Sequence, residues 1–72
     1  MFSEIEVPLS PGGNSIYFWE RLSMIGDVLV ISGKYLQPLN ASISINKYAK
    51  KRRWVVNIER FPGPKMRLTR VG

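Results

Sequence analysis

Tyr48-Ala49-Lys50-Lys51-Arg52-Arg53-Trp54 places four consecutive cations between two aromatic residues, with Lys47 just upstream. The strand-like run Val55-Val56-Asn57-Ile58 follows at once. Cations in a last turn suit the negative end of a helix dipole. The stretch therefore reads as the end of a short helix entering a C-terminal β-hairpin.

Working backward, Asn40 is a plausible N-cap for a helix running to about Arg53. Ala41, Ile45, Tyr48, Ala49 and Arg52 recur at the spacing of one helical face. Lys47, Lys50, Lys51 and Arg53 spread over the remaining faces. A strand over Ser42-Ile43-Ser44-Ile45 competes, but its alternation stops at Asn46. Working forward, Trp54 to Phe61 reads as a strand, with Trp54, Val56 and Ile58 on one face. Pro62-Gly63-Pro64-Lys65 is turn chemistry, wider than a tight two-residue hairpin. Met66 to Val71 returns, with Met66, Leu68 and Arg70 sharing a face.

Upstream, Val28-Leu29-Val30-Ile31 is bounded by Gly26 and Gly33 and predicts a short buried strand. Tyr35 to Leu39 reads as a loop broken at Pro38. Residues 15–25 hold three adjacent aromatics. Ser15 could cap a short helix there, with most of Tyr17, Phe18 and Trp19 in the core. In residues 1–14, Pro8, Pro11, Gly12 and Gly13 oppose helix and central strand alike. The preceding Phe2-Ser3-Glu4-Ile5-Glu6-Val7 alternates. It reads either as an edge strand or frayed end, or as an extended docking peptide.

The expectation is an α+β fold: a small three-stranded antiparallel sheet, one covering helix and an irregular N-terminal tail. The tail spans residues 1–14 and is expected to be flexible; a single small domain spans 15–72. Seventy-two residues allow no more than one domain. Such a chain buries only about 60% of the surface that unfolding exposes.

Charge is unevenly placed. Residues 1–46 carry four carboxylates against Arg21 and Lys34, a net charge of −2. Residues 47–72 carry nine Lys/Arg against Glu59, a net charge of +8. Polyanions or acidic protein surfaces are the natural partners of the second part. Its candidate contacts are Lys47, Lys50, Lys51, Arg52, Arg53, Arg67 and Arg70. The acidic leader suits a protein surface better than nucleic acid. The leader is not the basic, apolar segment that a signal peptide needs, and Val28–Ile31 is far too short to cross a bilayer.

Histidine and cysteine are both absent. That removes the commonest general base, the thiol nucleophile and most transition-metal ligand sets. The carboxylates form no recognisable pair, and there is no phosphate-cradling glycine loop. A small RNase working through Tyr48 and cations would lack an acid–base pair. The reading is a non-enzymatic protein with no cofactor and no metal.

From Trp19 onward the chain is similar to a group of very small bacteriophage proteins. The matching pieces are Trp19, Gly26-Asp27-Val28-Leu29-Val30, the basic helix Lys47–Arg53 and the terminal Arg67-Leu68-Thr69-Arg70-Val71. The glycine usual after the basic helix is replaced here by Arg53-Trp54. With the acidic Phe2-Ser3-Glu4-Ile5-Glu6 leader, the whole chain resembles small phage regulators that inhibit host RNA polymerase. The resemblance implies a monomer in the cytoplasm of the host bacterium, bound to the polymerase core near its β′ subunit. It further implies interference with σ-dependent initiation, and antitermination. Phe2, Ser3 and Glu6 would then make the partner contact. The alternative is a general nucleic-acid binder acting through the basic helix and hairpin.

Overall fold

The computed structural model describes residues 1–72 and is an α+β fold: one helix on a four-stranded mixed sheet. In chain order the elements are β1 (Phe2–Glu6), a 3-10 turn at Trp19–Leu22, β2 (Val28–Ser32), α1 (Pro38–Arg52), β3 (Val56–Phe61) and β4 (Lys65–Arg70). The strands lie in the order β1-β2-β4-β3. β1 runs parallel to β2, and the other two pairings are antiparallel.

The expected three-stranded antiparallel sheet is thus corrected to four strands. The irregular N-terminal tail is corrected with it, because Phe2–Glu6 is an ordered edge strand. The reason lies in β2. Leu29, Val30 and Ile31 are all buried, on both faces of the sheet. A strand so deep needs a hydrogen-bonding neighbour on each side. β4 supplies one and β1 the other. Alternation then turns Ile5 toward the helix side, and Val7, beyond the strand, is only 1% exposed.

The crossover from β1 to β2 passes over the helix side, where Trp19 and Leu22 are buried. The expected helix over 15–25 shrinks to the single turn Trp19–Leu22. Phe18 before it adopts φ 59°, the left-handed region, which interrupts helical backbone. Trp19 is core; Tyr17 and Phe18 are half-buried. Tyr17 stacks on Trp19 at 4.9 Å between ring centres.

α1 begins at Pro38, two residues before the expected cap. Pro38 starts the helix instead of breaking the chain, since a first-turn residue needs no N–H partner. The stripe Ala41, Ile45, Ala49 is buried at i, i+4, i+8 and packs toward Leu29, Ile31, Met66 and Leu68. The strand reading of Ser42–Ile45 is not adopted. Trp19 Nε1 donates to Ser44 Oγ at 2.9 Å, tying the crossover to the helix.

β1 and β2 are joined at their N-terminal ends by Asp27, which is 5% exposed. Its Oδ1 accepts from the Met1 ammonium at 2.5 Å and its Oδ2 from the Met24 N–H at 2.9 Å. Those two hydrogen bonds, the ammonium's first, hold the carboxyl below its usual range. The Met1 and Arg70 charges act the same way, and burial opposes them. At the other end, Gly33 turns the chain with φ 116°, and a Cβ there would meet Glu6 Cγ at 2.9 Å. No helix is long and apolar enough to cross a membrane.

Candidate nucleic-acid interface

The helix ends as its last turns predict, but with an unusual residue. Arg53 adopts φ 59° and ψ 36°; its N–H bonds the Lys50 carbonyl, and the Trp54 N–H bonds the Ala49 carbonyl. This is a Schellman closure, in which the left-handed position is usually glycine. The apolar contact that accompanies such closures is present: Tyr48 and Trp54 meet edge-on, 5.5 Å between ring centres.

An alternating column of aromatics and guanidiniums grows from that contact. Arg52 lies 3.6 Å from the centre of the Tyr48 ring and 5.9 Å from that of Trp54. Arg70, from β4, lies 4.2 Å from the centre of Trp54. Trp54 is half-buried and packed against the core, so it is not an open platform for base stacking.

Five of the seven cations expected to contact a partner are brought together here. Lys47, Lys50, Lys51, Arg52 and Arg53 are all exposed on the last turns of α1 and its closing residue. None has a carboxylate partner; the ion pairs of the whole chain are Met1–Asp27 and Arg67–Glu59. The carbonyl ends of the helix add partial negative charge beneath them. The result is a concentrated cationic surface with no carboxylate to neutralise it.

Arg67 and Arg70 do not join it. Arg67 stands on the open face of the sheet, where both Glu59 carboxylate oxygens accept from it at 2.7–3.0 Å. Arg70 faces the helix side. It donates to the carbonyls of Ser23 at 2.5 Å, Gly72 at 2.9 Å and Leu22 at 3.4 Å. It is a strut between the C-terminus and the 3-10 turn. Both are therefore corrected as members of the cationic contact surface.

The expected partner residues also divide. Phe2, 63% exposed, and Glu6 stand on the open face of β1. Ser3 lies in register with Leu29, on the helix side, and is half-buried. Between Phe2 and Glu6 stands Glu4, which is not among the expected partner contacts although its alternation with Ile5 places it on that face. Phe2, Glu4, Val30, Phe61, Lys65 and Arg67 line a shallow depression of about 180 Å³ across the open sheet. No group of His, Cys, Asp and Glu residues is placed to hold a metal ion.

No protein-family model, curated protein or solved structure matches this chain.

Proposed function

We propose that the chain is a non-enzymatic protein that grips the phosphate backbone of nucleic acid with the C-terminal end of α1. One observation carries the reading: Lys47, Lys50, Lys51, Arg52 and Arg53 crowd two turns of exposed surface with no carboxylate to neutralise them. Such a surface displaces counterions from a polyanion, so affinity depends on charge density more than on sequence. Half-buried Trp54 argues against base stacking as the main term.

The test is fluorescence anisotropy with labelled single- and double-stranded DNA and RNA across a salt series. Each phosphate contact contributes about 0.9 to the slope of log K against log salt on duplex DNA. Changing Lys47, Lys50 and Lys51 together to Ala should flatten that slope by about 2.7. An unchanged slope, with the fold intact, would overturn the proposal.

A second reading is favoured by a different observation. Phe2 and Glu6 are exposed on an edge strand, away from the cationic end. With the resemblance to small phage regulators, this supports docking on bacterial RNA polymerase through β1, the cationic end facing nearby nucleic acid. Purified polymerase should retain the chain, and Phe2→Ala with Glu6→Ala should weaken retention. Absence of retention in both forms would remove this reading and leave the first untouched.

A further inference from the structure

We infer that the outer edge of β1 accepts an extended strand from a protein partner, with basic side chains at alternate positions. The inference deepens the second reading above by naming the chemistry of the partner segment.

The main chain comes first. The Val28 N–H bonds the Met1 carbonyl and the Val7 N–H bonds the Ser32 carbonyl, so odd-numbered residues of β1 face β2. Alternation along a strand then turns the N–H and C=O groups of Phe2, Glu4 and Glu6 outward. No turn, loop or side chain takes them up. These are three donors and three acceptors at the spacing an added strand uses. The edge carries no proline, bulge or lysine; its charged side chains are Glu4 and Glu6, which repel an acidic strand and admit a basic one.

The side chains then select the occupant. Glu4 and Glu6 project on the open face, two residues apart, and neither has an ion-pair partner. In an added strand, the residues beside them on that face are also two apart. Cations at i and i+2 would meet both carboxylates in directly opposed cross-strand pairs. A second copy of this edge is disfavoured, because its glutamates would meet these. The other bare edge, β3, lies three strand spacings away, about 14 Å. It adjoins the cationic end of α1 and lacks an unpaired acidic pair. Within a chain of net charge +6, the β1 edge is where acid is concentrated.

The probe is the blocked pentapeptide Lys-Val-Lys-Val-Lys, titrated into the isotope-labelled full chain at low salt, with amide hydrogen exchange read by NMR. Saturation to ten times the dissociation constant should slow exchange at Phe2, Glu4 and Glu6 about tenfold. Glu-Val-Glu-Val-Glu should not slow it. Glu4→Lys with Glu6→Lys should abolish the effect of the basic peptide while leaving the remaining spectrum in place. Three results would overturn the inference: no slowing at these amides, slowing at the β3 edge instead, or side-chain shifts without amide protection. Polymerase retention without peptide binding would separate failure here from failure of the second reading.

Discussion

Arg70 covers the face of Trp54 at 4.2 Å while its N–H groups reach the main-chain carbonyls of residues 22, 23 and 72. One side chain from the last strand thus fixes the second residue after the helix, the 3-10 turn and the C-terminal residue. A lysine could supply the charge but neither the flat face nor the fork of donors. Arg70→Lys should lower stability by about 2 kcal/mol in urea denaturation. Arg70→Gln, which removes the charge, should leave the salt slope for DNA as in the parent chain. A fall in that slope would return Arg70 to the contact surface.

Arg53 holds a left-handed backbone that glycine adopts without steric penalty. The non-glycine residue costs about 1 kcal/mol there. Arg53→Gly should therefore raise the denaturation midpoint, by about 1 kcal/mol in stability, and at the same time reduce DNA affinity. Its salt slope should shrink by about 0.9. Gain of stability with unchanged affinity would show that Arg53 makes no phosphate contact.

Asp27 gives the fold a pH dependence of known sign. Its carboxyl is depressed in the folded chain, chiefly by the hydrogen bond from the Met1 ammonium. A depressed carboxyl contributes stability that is fully present above its unfolded value, about 3.9. That contribution is lost as pH falls toward the lower folded value. Asp27→Asn should be less stable at pH 7. The gap between variant and parent should narrow as pH falls below about 4. Denaturation curves at pH 7, 4 and 2.5 measure this, and a constant gap would contradict it.

Trp19 and Ser44 tie the crossover to the helix through one partly buried hydrogen bond. Ser44→Ala leaves the indole N–H without its partner and should destabilise by about 1 kcal/mol. Trp19→Phe, which removes the donor and part of the buried ring, should weaken the fold further. Thermal unfolding followed by circular dichroism reads both. Equal stability of Ser44→Ala and the parent would show that solvent satisfies the indole.

The helix-to-hairpin junction was legible in the residues because its determinants are local. Ala41, Ile45 and Ala49 recur at helical spacing, cations collect in the last turn, and a proline- and glycine-rich turn separates two alternating runs. The buried β2 was legible for the same reason. Helix boundaries were less so: Pro38 and Arg53 each fill a position that permits them without demanding them.

The fourth strand and the membership of the cationic surface depended on residues far apart in sequence. Phe2-Ser3-Glu4-Ile5-Glu6 has the pattern of a strand whether or not a neighbour is there to bind it; only β2, more than twenty residues away, makes it one. Arg67 and Arg70 carry the same charge as Arg52 and Arg53. What separates them is a carboxylate across the hairpin and carbonyls 47 and 48 positions upstream. Sequence determined how much positive charge the chain holds and where along it that charge lies. Tertiary structure decided which of it stays unneutralised, since a guanidinium is quieted by whatever the fold brings within hydrogen-bond reach.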